Sequence, residues 1–234
     1  MTDDSELAGL DPFTLLDREA ARLDHFYSSL PEDQWSRPSR CQGWSVRDVL
    51  GHLLAAEEYH QACLTGQVQA FFGRMAEAGA TDLDSGNALG VAEQAGRPAE
   101  EVLAEWRTTD ADTRRRFREA GDGTVDTSVG QYPNPWQAFH VAMELATHAD
   151  DVDVPITDDE RDARRDWRAR VSRFALVETK PDVVVKAEGG RTHVAGPDAE
   201  AEVDDDELID GVAARLGPDS RLDAAQRALL SAMP

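Results

Sequence analysis

The 234-residue chain carries a formal net charge of -22, which argues against nucleic-acid phosphate and anionic membranes as partners, since both need a concentrated basic surface. Its length allows one large domain or a larger domain with a small second one. Cys41 and Cys63 form no Cys-x-x-Cys pair, the N-terminus lacks a basic start and apolar run, and no uninterrupted apolar stretch approaches membrane-spanning length, so a soluble chain of a reducing cytoplasm is expected.

Apolar residues recur at Phe13, Leu16, Ala20, Leu23, Tyr27 and Leu30, the three-and-four spacing of an amphipathic helix over residues 11–30, closed by Pro31. A loop leads to Ser45, which with Asp48 resembles a capping box, and a second helix is expected from about residue 46 to 65. His52 lies on its apolar face beside Val49, Leu53 and Ala56. A histidine there is either a core imidazole satisfied by one hydrogen bond, the commoner case, or a ligand. His60, eight residues on and rotated away, is expected at an exposed or rim position. Residues 66–98, rich in Gly, Ala and Asp, read as a long loop with short helical pieces.

Pro98 starts a third helix with Val102, Trp106, Thr109, Thr113 and Phe117 inward, and its run Arg114 to Arg118 reads as a solvated face suited to a helix C-terminus. After Gly121 an extended linker spans 125–132. Asn134 as N-cap and Pro135 at the first helical position then open a helix carrying Glu144 and His148. Four residues apart, these two stack on one face and can converge on one ion. His140 lies one turn earlier on nearly the same stripe. Asp150 and Asp151 crowd the helix exit, where they are unfavourable to its dipole; orienting a metal-bound imidazole, simple solvation and salt bridges to the arginines of 161–173 are all open readings.

A helix over 158–177 follows, with Trp167 and Val171 inward. Residues 182–187 and 191–195 read as a hairpin with a third strand at 199–203, His193 being a packing or surface residue. Helices to about residue 216 and over 222–232 end the chain.

Two blocks carry a resemblance. Cys41-Gln42-Gly43-Trp44-Ser45-Val46-Arg47-Asp48-Val49-Leu50-Gly51-His52-Leu53 and Glu144-Leu145-Ala146-Thr147-His148-Ala149-Asp150-Asp151 are similar to motifs of the DinB-like four-helix-bundle proteins, and within them of the mycothiol-dependent maleylpyruvate isomerase group. The resemblance implies a mainly α fold: a DinB-like, metal-binding four-helix bundle over 1–155 with a small C-terminal α/β domain over 156–234. It further implies His52, Glu144 and His148 as ligands of one divalent metal, zinc in most members. Three protein ligands with open positions fit a catalytic rather than a closed structural site. His140 stands where many members have arginine, and is the candidate catalytic residue, as a fourth ligand, an outer hydrogen-bond donor or a substrate contact. Arg215 is the candidate for the family's substrate-binding arginine in the shortened C-terminal domain.

Neither cysteine reads as a nucleophile, so the thiol such a site would activate comes from outside as mycothiol or a similar molecule. The leading expectation is a metal-dependent thiol S-transferase or cis–trans isomerase acting on a small-molecule electrophile resembling maleylpyruvate. Metal-assisted hydrolysis or lyase chemistry on the same bundle, with His140 or an acid as general base, and a non-catalytic metal-stabilised binding protein are the alternatives. The expected state is a monomer or homodimer with neither nucleic-acid nor membrane partner.

Overall fold

Caps write most helix starts into the sequence. In the computed structural model, which describes residues 2–233, the Asp11 carboxylate accepts from the amides of Phe13 and Thr14, and Pro12 opens α1 (Pro12–Ser29). The Ser45 and Asp48 side chains cap each other's backbone amides at the start of α2 (Val46–Thr65), which stops at Gly66 with a left-handed φ of 69°.

Residues 66–98 hold two helices rather than a long loop: α3 (Val68–Glu77) and α4 (Leu83–Gln94). Both bury little, Val68 alone in α3, and only α4 lacks an apolar stripe. The buried residue of α4 is Gly90, and a Cβ there would come within 2.6 Å of the Ala55 Cβ, so α4 lies against α2 through backbone and leaves no apolar stripe to read. The third long helix, α5 (Ala99–Ala120), ends at Gly121. Beyond it, the expected linker is a tight antiparallel hairpin, β1 (Thr124–Thr127) with β2 (Gly130–Pro133). Helix α6 (Asn134–Asp151) follows. Asn134 is not its N-cap: it is the first residue of α6, and its side-chain amide donates to the carbonyls of Phe117 and Gly121 at 2.8 and 2.7 Å. It thus satisfies the end of the preceding helix instead.

Among the described residues, the chain divides into two compact units, Asp11–Val154 and a second made of Met1–Leu10 with Pro155–Pro234. In the first, α1 packs along α6 and α5, α2 packs along α5, and α5 meets α6, forming the bundle around Leu16, Leu23, Leu50, Trp106, Phe117 and Met143, all fully buried. Residues 45–48 are tied down by their surroundings. The Arg40 amide donates to Asp151 O at 2.9 Å, and the Arg47 and Val46 amides bond to Trp35 O and Arg37 O. The Arg37 guanidinium donates to Val152 O at 2.7 Å. These bonds hold the Cys41–Trp44 segment at the C-terminal end of α6.

The second unit contains α7 (Asp158–Thr179) and an antiparallel sheet of β3 (Val184–Glu188), β4 (Arg191–Ala195) and β5 (Glu200–Asp204) in that order. Two short helices, α8 (Asp205–Val212) and α9 (Ala224–Leu230), follow. Phe174, Val194, Val203, Leu208 and Leu230 are buried. His193 pairs with Lys186 and Glu202 across the sheet and its side chain is half-exposed. The residues before α1, read from sequence as the start of the bundle domain, belong to this second unit. Leu7 is buried, Arg170 Nε donates to Glu6 O at 2.8 Å, and Arg173 pairs with the Glu6 carboxylate at 2.9 Å. No helix among the described residues is long and apolar enough to cross a membrane.

Candidate metal centre

His52 from α2 meets Glu144 and His148 from α6. One ligand atom from each of the three lies within 4.8 Å of the other two. His52 and His148 are buried, with ring centroids 4.7 Å apart at a steep angle, and Trp44 covers His52 at 5.1 Å. The His52 Nε2 to Glu144 Oε1 distance is 3.6 Å, longer than a direct hydrogen bond. Two ligand atoms each ~2.1 Å from a tetrahedral ion stand ~3.4 Å apart, so the spacing fits a shared ion. Burial pushes His52 below the ordinary imidazole range against the pull of the neighbouring Glu144 carboxylate, which keeps its ring neutral, the form that ligates.

His148 is oriented from behind. Its Nδ1 lies 3.0 Å from Asp151 Oδ2, one turn on along α6. With Nδ1 donating, the lone pair is on Nε2, the arrangement typical of a metal-bound imidazole. The Cys41 thiol donates to the same Asp151 oxygen at 3.1 Å and sits 3.9 Å from His148 Nδ1. Cys41, expected as a small hydrophobe, is therefore a neighbour of the site, and of the two acids at the helix exit it is Asp151 that faces His148. Cys63 is buried near Tyr59, and burial pushes its thiol up to about 11.

The position misjudged from sequence is His60. Eight residues turn an α-helix by roughly 80° beyond two full turns, which places His60 off the His52 stripe. The long Glu144 side chain from α6 bridges that offset. His60 is buried, its Nε2 is 3.2 Å from Glu144 Oε2, and its Nδ1 is 3.9 Å from Glu57 Oε2. Glu57 is buried too and accepts from the Thr113 hydroxyl at 2.5 Å. Burial opposes the charged form of His60, but the hydrogen bond to Glu144 and the charge of the nearby Glu57 carboxylate lift it to about 10. Burial likewise works to raise Glu144, yet the neighbouring His52 and the hydrogen bond from His60 hold its carboxyl well below the usual range.

His140 is half-buried and does not join the converging donor sets found among the described residues. Its Nε2 is 2.9 Å from the Tyr132 hydroxyl of β2, a contact created by the hairpin. Arg215 belongs to the second unit, where its guanidinium donates to Ala213 O at 3.0 Å. The arginine run of α5 is paired rather than simply solvated: Arg114 reaches Asp17 and Asp110, Arg118 reaches Asp17, and Arg115 and Arg116 reach Asp112.

The family model described as the mycothiol maleylpyruvate isomerase N-terminal domain matches residues 16–153. The chain belongs to that family. The matched segment contains α2 and α6 and with them every side chain of the donor cluster. A crystal structure of a mycothiol-dependent maleylpyruvate isomerase mutant superposes with a TM-score of 0.59 at 16% sequence identity, covering 89% of this chain and 90% of that one. At that identity the likeness establishes the fold, a mainly α, DinB-like bundle with a small α/β unit. No curated protein matches the chain.

Proposed function

We propose that the chain is a metal-dependent enzyme that takes a low-molecular-weight thiol, mycothiol or a close relative, as co-substrate. It acts in the cytoplasm as a cis–trans isomerase of a maleylpyruvate-like electrophile, or as an S-transferase to one. The observation that carries this reading is the convergence of His52, Glu144 and His148 within 4.8 Å, two imidazoles and one carboxylate from facing helices. A divalent cation held there, zinc by its preference for such donors, supplies the charge that lowers a thiol's pKa and leaves positions open to small molecules.

The chain's own residues do the rest. Asp151 fixes the His148 tautomer, Trp44 covers His52, and Glu144 contributes the negative charge of the donor set. The thiolate adds to one alkene carbon, forming a C–S bond as the π pair moves onto the conjugated carbonyl oxygen. Tyr132 and His140 share a hydrogen bond at 2.9 Å, and we assign to them the role of the pair that would lend a proton to that oxygen and take it back. Rotation about the former double bond and expulsion of the thiolate complete an isomerisation; protonation at carbon, leaving the thioether, completes a transfer.

The test is incubation of the metal-loaded protein with a conjugated cis-alkene acid, with and without mycothiol. Turnover or thioether formation that requires both metal and thiol is expected. Turnover independent of thiol refutes the proposal.

A further inference from the structure

We infer that His60 is a positioning residue for the proposed metal centre: by holding Glu144 Oε2 it determines that Oε1 is the oxygen presented beside His52. The inference rests on the metal reading above and concerns a side chain outside the converging donor set.

Glu144 stands between two histidines of the same helix. Oε1 faces His52 Nε2 at 3.6 Å and Oε2 faces His60 Nε2 at 3.2 Å. An ionised carboxylate only accepts hydrogen bonds, so the proton between Oε2 and His60 is carried by Nε2. A nitrogen bearing that proton has no lone pair to give a cation. His60 therefore acts through Glu144.

The far side of the ring is fixed as well. Nδ1 is buried without a hydrogen-bond partner of its own and faces Glu57 Oε2 at 3.9 Å. Glu57 is held from α5 by Thr113 at 2.5 Å. The result is a carboxylate, imidazole, carboxylate series that runs from Glu57 and His60 of α2 to the half-buried Glu144 of α6, with Thr113 of α5 holding its far end.

Such a series is a poor device for stability alone. Burying charged groups is costly even when they are paired, and apolar replacements of similar volume are often neutral or better. Its effect is geometric. A glutamate side chain has three rotatable bonds and two equivalent oxygens, and pinning one oxygen selects both the rotamer and the atom offered to the cation. Outer residues that orient ligands in this way contribute about 10–100-fold to metal affinity.

The test uses Co2+ as the probe on the full chain, reading affinity by chelator competition and ligand field by visible absorption, with far-UV circular dichroism in parallel. His60→Met, which fills the space without a donor, should weaken Co2+ binding by about 10-fold or more and shift the absorption band. His60→Gln, whose amide can donate to Oε2, should restore the wild-type band and most of the affinity. Unchanged affinity and band in His60→Met overturn the inference. So does a loss in His60→Gln equal to that in His60→Met, the result expected of a direct ligand. If His60→Met does not fold, Glu57→Gln decides: removing the charge behind His60 should lower the affinity and move the band, and no change overturns the inference. A wild-type chain that binds no Co2+ overturns the metal reading itself, so the two failures are distinct.

Discussion

The bundle buries Glu19, His52, Glu57, His60, Asp110 and Asp151 among its apolar side chains, whereas Arg164, Arg168, Ser172 and Thr192 are the polar side chains buried in the second unit among the described residues. Both units have apolar cores, so neither needs buried acids in order to fold. Each such group costs free energy unless it is paired. Concentrating acids and imidazoles between α2, α5 and α6 therefore sets the bundle apart from the second unit, whose buried polar side chains among the described residues are two arginines, a serine and a threonine.

The sharpest way to break this contrast is to remove a donor. His52→Ala should reduce bound metal from stoichiometric to background by elemental analysis, with the helical circular dichroism retained. Stoichiometric metal in that variant rejects the ligand set. In the second unit the corresponding experiment is apolar. Leu208, fully buried, should cost about 2–5 kcal/mol on truncation to alanine, read as faster hydrogen exchange in α7 and β4, while metal stoichiometry stays at the wild-type level.

A smaller effect distinguishes the two interiors by pH. Burial first, and then the charge of Glu57 on α2, push the Asp110 carboxyl up to about 7, against the pull of Arg114 and His60. Arg114 is also paired with Asp17 of α1. Because the folded value lies above the unfolded value of about 3.9, the contribution of Asp110 to stability is complete below roughly pH 4 and is lost as pH rises through about 7. Asp110→Asn removes that slope. Between pH 5 and pH 8 its unfolding free energy should gain roughly 2–3 kcal/mol relative to the wild type, measured by urea denaturation at both values. An unchanged difference would show that Asp110 is ionised throughout.

Much of the bundle was legible because its helices advertise themselves. The Ser45–Asp48 box marks the start of α2, and three-and-four spacing marks α1 and α5. Helix α4 was not, since a helix that packs through Gly90 has no stripe to display; α3, which does carry one in Val68, Phe71 and Met75, was passed over within its Gly- and Ala-rich surroundings. The site divides along the same line. Glu144 and His148 are visible as a pair by spacing on one helix, while His52 could be matched to them only through the resemblance of two whole blocks. His60 and Cys41 escaped because their partners are distant in sequence: Glu144 lies across the bundle from His60, and Asp151 is 110 residues from Cys41. Periodicity reports the face of one helix, not the reach of a long side chain from another.

The place of the first ten residues bears on how the chain is made. Glu6 is bound by Arg170 and Arg173 of α7, so on a ribosome adding about 5–20 residues per second its partners do not exist until roughly 10–30 s after Glu6 itself is synthesised. By then the segment through Val154 has been translated in full. In the order of synthesis the bundle is an insertion within the other unit, and the opening residues must wait unpaired through its translation before the unit they belong to can close.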